Sequence, residues 1–457
     1  MTAPRSLLAP ARYLSREESE AIARRVLGFA TADETRVTIS SGGRGNTRFA
    51  VNQVSTAGDN YNAAVTVRSS FGKRTGSVST NRLDDDALRR AVQTAEQLAR
   101  LAPEDPEAMP ELGPQQYAPS QAWRDATAAL DPVGRAAAVR AVTEPARSAG
   151  LTSTGYLESQ AGSLAVATSR GLFAYDRQTG AVLTTTVRTE DGSGSGWAGA
   201  VHNDWSRIAP AELAARAIDK ARRSVNPVAV EPGRYTVVLE PTAVGNLVQL
   251  IGGALSARSA DEGRSFFSKP GGGTKIGQKV VDERITIASD PHAADAPTNT
   301  FTGEGLPVER VTWVENGVVK NLAYDRFWAQ RQSTRPTPLG GSLVMSGGDA
   351  TLEEMIASTQ RGLLVTRFWY IRPVDPRTIL YTGLTRDGTF LIENGRITRA
   401  VKNLRFNESP IFMLNNVEAM GRPMRVSASE AGGVGQGVVV PPLKVRDFNF
   451  TSLSDAV

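Results

Sequence analysis

The chain has 457 residues, which exceeds one ordinary hydrophobic core and predicts two or three domains. Its hydrophobic content of 40% and charged content of 22% are typical of a soluble globular protein, and no apolar run approaches the roughly 18 residues of a membrane span. The net charge is +5, and the sequence has no run of Lys and Arg of the kind that binds the phosphates of a nucleic acid. It also has no cysteine, so it cannot form disulfides. We therefore expect a cytoplasmic protein with neither a nucleic-acid nor a membrane partner.

The first half alternates single helices with groups of strands. Residues 15–29 are predicted to form a helix that begins with a capping box between Ser15 and Glu18. Further amphipathic helices are predicted over residues 83–102, 130–149 and 208–224. Four Val- and Thr-rich strands are expected after the first helix, and a second group of strands after the third. This order predicts an α+β domain on an antiparallel sheet, which we place at residues 1–228.

The second half, residues 229–457, is predicted to be a β-rich domain, barrel-like or built of two sheets. It begins with the buried strand GRYTVVLEP, followed by a helix over residues 243–257. Two hairpins are predicted at Glu315-Asn316-Gly317 and Glu393-Asn394-Gly395, because both turn residues in Asn-Gly readily adopt positive φ. The apolar run Gly362 to Ile371 is predicted to be one strand, buried in its own core or partly presented to a partner.

Candidate metal ligands are scarce. A catalytic zinc site needs three protein ligands from His, Cys, Asp and Glu, with a position open for water. The chain has only His202 and His292; neither is followed by Glu, and neither has a second His within helical reach. A site built from both His and a carboxylate remains an alternative. The GxGxxG run at residues 194–199 lacks the helix of a dinucleotide site, so we interpret it as a glycine-rich turn.

One segment of the second half resembles the metal-binding segment of a known peptidase family. It reads NLVQLIGGALSARSADEGRSFFSK over residues 246–269 and keeps a frame of five residues: Leu255, Gly263, Ser265, Phe267 and Ser268. Together with the run IENGRIT at residues 392–398, it is similar to the TldD/PmbA, or gyrase-modulator, metallopeptidases. The resemblance covers nearly the whole chain, and it implies an α+β N-terminal domain and a β-rich C-terminal domain.

The resemblance also shows where this chain departs from the catalytic branch. In that branch the segment carries HExxxH, and the three motif positions fall here on Val248, Gln249 and Gly253. A family cysteine near the C-terminus supplies another metal ligand, and the nearest residues here are Ser427 and Ser429. None of the three motif residues can bind zinc or act as a general base. We therefore expect no catalytic and no metal-binding residue in this chain.

By resemblance, the chain is similar to the non-catalytic TldE/PmbA-like subunit of a two-component zinc metallopeptidase that processes unfolded peptides. The resemblance implies that zinc is held by a TldD-like homologue, with which this chain forms a heterodimer; a homodimer is the other possibility. Two alternatives stay open at this point: a stand-alone hydrolase with a rearranged metal site, and a scaffold or binding protein on the same fold.

Overall fold

The first half of the chain forms one antiparallel sheet of six strands in the order β3-β2-β1-β4-β5-β6. The computed structural model describes residues 13–428, 433–434 and 437–454. The elements of this half are α1 Arg16–Phe29, β1 Glu34–Ala50, β2 Gln53–Phe71, β3 Arg74–Thr80, α2 Asp85–Leu101, α3 Asp125–Ala128, α4 Pro132–Ser148, β4 Thr152–Thr168, β5 Phe173–Arg188, β6 Ser195–His202, a 3-10 helix at Trp205–Arg207, and α5 Pro210–Arg223.

The predicted helices of the first half are confirmed, because their start signals act locally. Ser15 caps α1, and its side chain and that of Glu18 form the predicted capping box. Asp84 caps α2 by accepting a hydrogen bond from the backbone N–H of Ala87. In α4, Asp131 is the cap and Pro132 the first helical residue.

The prediction of four strands before α2 is wrong. The first predicted strand and the start of the second form the 17-residue β1, the rest of the second and the third form the 19-residue β2, and the fourth is β3. The glycines between the first two predicted strands lie inside β1, where a Cβ on Gly42 would stand 2.6 Å from the backbone oxygen of Ala161 in β4. Glycine here permits close strand approach. The reversal falls instead at Val51 and Asn52, both with positive φ.

The second half contains two sheets, so the predicted α+β class with a two-sheet C-terminal part is confirmed. One has the order β10-β9-β8-β11-β20-β19, and the other β13-β14-β17-β21-β7-β12-β15-β16, with β18 also paired to β21. The helices are α6 Pro241–Ala254, α7 Ala257–Asp261, α8 Arg326–Arg331, α9 Leu352–Ala357 and α10 Pro410–Asn415. The strands are β7 Gly233–Leu239, β8 Ile287–Asp290, β9 Val311–Glu315, β10 Val318–Val319, β11 Ser342–Met345, β12 Arg361–Val365, β13 Phe368–Asp375, β14 Leu380–Thr385, β15 Thr389–Glu393, β16 Arg396–Ala400, β17 Leu404–Glu408, β18 Val417–Met420, β19 Met424–Ser427, β20 Gly437–Val440 and β21 Leu443–Leu453.

Both Asn-Gly hairpins are confirmed. Glu315 pairs with Val318 across the first turn, and Glu393 pairs with Arg396 across the second. All four turn residues have φ between 48° and 78°. This is the positive-φ geometry that makes Asn-Gly a strong hairpin signal.

Two predicted elements of the second half are each divided in the structure. The helix expected over residues 243–257 ends at Ala254, and α7 begins after Ser256, whose hydroxyl caps it. The apolar run Gly362 to Ile371 is two strands, of which β12 lies inside its sheet and β13 at the edge. Arg367 interrupts the run because it turns inward to form a buried ion pair with Asp387, 3.5 Å away.

The two halves contact each other through buried and partly buried polar pairs. Asp176 in β5 accepts hydrogen bonds from the backbone N–H and hydroxyl of Thr300 at 2.7 and 2.9 Å. Lys220 in α5 pairs with Glu240 at 2.6 Å, just before α6. No helix in the described part of the chain is long and apolar enough to cross a membrane. The domain boundary at residues 228–229 stays a prediction.

Candidate functional site

Helix α6 carries the three motif positions and is held in the core of the second half. Pro241 occupies its first turn, where a missing N–H costs nothing. Its apolar face packs on β19 and β20: a Cβ on Gly245 would stand 2.7 Å from the side chain of Val426 and 3.0 Å from that of Val438. The helix is therefore fixed by close packing against the C-terminal strands.

Val248 lies in the hydrophobic core. Its side chain is fully buried and belongs to the main apolar cluster of the second half, together with Leu247 and Ile251. An apolar side chain in this environment has no atom that could bind a metal or carry a proton. The first motif position has therefore become a packing position.

Gln249 is committed to hydrogen bonds with the backbone. Its Nε2 donates to the backbone oxygen of Ala428 at 2.6 Å and to that of Asn246 at 3.3 Å. The neighbouring Asn246 is buried, and its Nδ2 donates to the same Ala428 oxygen at 2.9 Å. Its Oδ1 in turn accepts from the backbone N–H of Phe368 at 3.1 Å. Two amide side chains thus join α6 to the C-terminal segment and to β13.

Gly253 offers no side chain and lies at the exposed end of α6. Nothing stands within 4 Å of the place where its Cβ would be. It borders a cavity of about 460 Å³ that is also lined by Arg264 and Asp375. The Asp375 carboxylate already accepts hydrogen bonds from the backbone N–H of Arg377 and the hydroxyl of Thr378, so it stabilises its own turn.

Ser427 is not on the side of β19 that faces α6. Because side chains alternate along a strand, Val426 points toward α6 and Ser427 away from it. Ser427 is buried, and its hydroxyl has no hydrogen-bond partner among the described residues. Ser429 lies outside the described residues.

These residues do not fit a zinc ion. The four positions supply an apolar side chain, a committed amide, a glycine and a hydroxyl on the opposite face of its strand. Within the described ranges, no group of three or more His, Asp or Glu side chains is placed to hold a metal. The chemistry of the donor set therefore disagrees with the ligands that zinc requires.

The two histidines belong to different local structures. The Nδ1 of His202, at the end of β6, accepts a hydrogen bond from the backbone N–H of Asp204 at 2.8 Å. Burial, and then the charge of Arg425, lower the pKa of His202 to about 4, so it is neutral at pH 7. His292 follows β8, and its backbone N–H donates to the side chain of Asp290 at 2.8 Å.

A second cavity lies between the two halves and was missed in the sequence. It has a volume of about 460 Å³ and is lined from the first half by Gln160 and Gln178, and from the second half by Asn299 and Arg425. The one residue in the sequence that could have indicated this cavity is Arg425, which lies at an inward position of the short strand MRVS. Its partners come from segments far apart in the chain, and local spacing does not identify them.

The comparisons with known proteins agree on one family. Three family models match successive parts of the chain: "PmbA/TldA metallopeptidase domain 1" at residues 37–99, the "central domain" at residues 124–225, and the "C-terminal domain" at residues 232–452. Together the three matches cover most of the chain.

Individual relatives are distant in sequence and close in fold. A metalloprotease of Methanothermobacter thermautotrophicus is 24% identical over 258 residues, which are 52% of this chain and 54% of that protein. A zinc metalloprotease TldD homolog of Saccharolobus solfataricus is 25% identical over 242 residues, or 47% of this chain and 51% of that protein. The chain spans about half the length of the curated relatives it matches. The crystal structure of TldE from Thermococcus kodakarensis has a TM-score of 0.84 at 18% identity, covering 95% of this chain and 100% of that one.

Proposed function

The chain belongs to the PmbA/TldD metallopeptidase family, and we propose that it is a non-catalytic subunit of a two-component peptidase. It completes the enclosure around the active site and holds an unfolded peptide for a metal-bearing homologue, which supplies zinc and the general base. The peptide is held as an added strand, because main-chain hydrogen bonds bind any sequence.

Helix α6 is the observation that carries this proposal. The position where a catalytic relative needs its base is occupied by Gln249, whose amide donates to Ala428 at 2.6 Å. An amide cannot accept a proton from a metal-bound water, and here it holds the helix against the C-terminal segment. Val248 is part of the hydrophobic core, and Gly253 has no side chain, so neither can bind a metal.

The comparisons support the assignment at two levels. The relatives named as metalloproteases indicate that the family performs peptide-bond hydrolysis. The similarity to a TldE structure over nearly the whole chain supports a TldE-like subunit, although at 18% identity it concerns the fold alone. In our proposal, activity belongs to an assembly and is contributed by its metal-bearing member.

The partner is a TldD-like homologue that carries HExxxH, and a second copy of this chain is the alternative. Most of the apolar run Gly362 to Ile371 is buried in the chain itself, so only its exposed residues and the neighbouring surface can contact a partner. Tyr370 and Val374 on the edge strand β13 are each 52% exposed and lie where a partner could contact them. We place the assembly in the cytoplasm, in keeping with a chain without cysteine.

The test is reconstitution with the HExxxH-bearing homologue from the same organism. This chain, the homologue and their equimolar mixture are each incubated with an unfolded peptide, and sedimentation reports assembly. Cleavage and a heterodimer are expected in the mixture. The control is the homologue with its motif glutamate replaced by glutamine, which should assemble and not cleave.

Two results would count against the proposal. Cleavage by this chain alone would favour the stand-alone hydrolase. A monomer that neither binds the homologue nor changes its rate would favour the scaffold.

A further inference from the structure

Among the described residues that line the cavity between the two halves, one carries a charge. Strands β4 and β5 supply Gln160 and Gln178, the loop after β8 supplies Thr298 and Asn299, and β19 supplies Arg425. Every other lining residue in the described part of the chain is neutral. At about 460 Å³, the cavity falls in the range of about 300–1,000 Å³ that small-ligand sites occupy.

The Arg425 guanidinium is largely buried, and none of the described carboxylates forms an ion pair with it. Its Nη1 donates to Oδ1 of Asn203 at 2.5 Å and to the backbone oxygen of Asp295 at 2.8 Å. No described Asp or Glu forms an ion pair with it, because the Asp295 carboxylate points to Arg207 at 3.7 Å. Its Nε is buried and has no hydrogen-bond partner within the described residues.

A buried cation of this kind is costly unless an anion neutralises it. Burial lowers the pKa of Arg425 to about 10, so the guanidinium stays charged at pH 7. The adjacent His202 is neutral and is a poor source of compensation.

We propose that this cavity binds a peptide carboxylate, with Arg425 as the residue that recognises it. A guanidinium matches a carboxylate in planar geometry, and such hydrogen bonds are stronger than neutral ones. The choice of a peptide rests on the proposed function; the anionic chemistry rests on the cavity alone.

A peptide can offer this carboxylate from its C-terminus or from an Asp or Glu side chain. Three probes distinguish these sources: acetyl-trialanine with a free carboxylate, the same peptide with a C-terminal amide, and acetyl-Ala-Asp-Ala amide. Each is titrated into the purified full chain by isothermal titration calorimetry, without any homologue. Binding of the first probe alone identifies the terminus; binding of the third identifies the side chain.

Three variants and one control test the role of Arg425. Arg425→Gln should weaken carboxylate binding on the order of 10- to 100-fold, and Arg425→Lys should weaken it less, because charge remains and the planar fork is lost. Gln160→Glu leaves Arg425 in place and adds a nearly isosteric negative charge, which should also weaken binding. Arg422→Gln is the matched control, since that arginine is 84% exposed and lies outside the lining of the cavity.

The proposal is overturned if neither carboxylate probe binds, or if the amide binds as well as the acid. It is also overturned if folded Arg425→Gln and Gln160→Glu both bind like the parent chain. Because no homologue and no cleavage enter this experiment, its failure leaves the reconstitution result untouched. Conversely, carboxylate binding by a chain that never assembles would refute the subunit role and keep the site.

Discussion

Restoring the family motif by Val248→His, Gln249→Glu and Gly253→His should create neither a zinc site nor peptide cleavage. The first and third positions are five residues apart, which is about 140° around an ideal helix, so both imidazoles cannot face one ion without a local distortion. The C-terminal cysteine of the catalytic branch is also missing, and Ser427 lies on the far side of β19. The three substitutions therefore supply the residue types of the family motif but not the geometry that a zinc site needs.

The cost to stability follows from the contacts of each position. Histidine in place of the fully buried Val248 adds atoms to a packed core and buries polar nitrogens. This change should lower stability by about 2–4 kcal/mol. Glutamate at position 249 replaces the amide that donates to the carbonyl of Ala428 by an acceptor that faces the same carbonyl. This change should lower stability by about 1–3 kcal/mol. Position 253 is open, so histidine there should be nearly neutral. The triple variant should lose about 3–7 kcal/mol, a large share of the ~5–15 kcal/mol typical of a folded protein.

Urea unfolding of the three single variants and the triple variant measures these costs, and equilibrium dialysis with zinc measures metal binding. Gly253→His is the internal control and should unfold like the parent. A stable triple variant that holds about one zinc per chain and cleaves an unfolded peptide would refute the reasoning.

Three further predictions concern stability. Burial raises the pKa of Glu408 from 4.5 to about 7. Between these two pH values the folded state keeps a proton that the unfolded state loses. The free energy of unfolding should therefore fall by about 3 kcal/mol as the pH rises from 4.5 through 7. Glu408→Gln should remove that dependence in urea titrations at pH 4.5 and 8, and equal slopes in both proteins would contradict the assignment. Asn246→Leu should cost about 1–3 kcal/mol in urea unfolding, because the buried N–H of Phe368 loses its acceptor, and a parent-like midpoint would show that the bond contributes nothing. Gly317→Ala should lower stability by about 1–3 kcal/mol, because the φ of Gly317 is +78° and the new Cβ would meet a backbone oxygen at 2.3 Å. Gly253→Ala is the matched control, because the space around Gly253 is free. Equal thermal unfolding of the two variants would argue against the turn geometry.

Features that depend on local signals could be read from the sequence. The capping box of Ser15 and Glu18 and the two Asn-Gly turns involve residues within four positions of each other. The hydrophobic periods of α2, α4 and α5 likewise need no knowledge of the rest of the fold. The α+β class follows from the order of such elements.

Features that depend on distant contacts could not be read in this way. The division of β1 into two predicted strands was wrong because the close neighbour of Gly42, Ala161, is more than a hundred positions away. The run Gly362 to Ile371 looked like one strand because the ion pair that divides it needs Asp387.

The candidate site shows the same division. Val248, Gln249 and Gly253 were found from a family frame within a single helix. Arg425 was missed because the opposite walls of its cavity come from β4, β5 and the loop after β8, and only folding brings these segments to the strand that carries it.

The metal content of the purified chain tests the central claim most directly. The chain is saturated with zinc, dialysed against buffer, and analysed by elemental mass spectrometry beside the HExxxH-bearing homologue. We predict stoichiometric zinc in the homologue and none in this chain, because α6 presents a buried valine, a committed amide and a glycine. About one zinc per chain, lost on His202→Ala or His292→Ala, would contradict the account and establish a rearranged metal site.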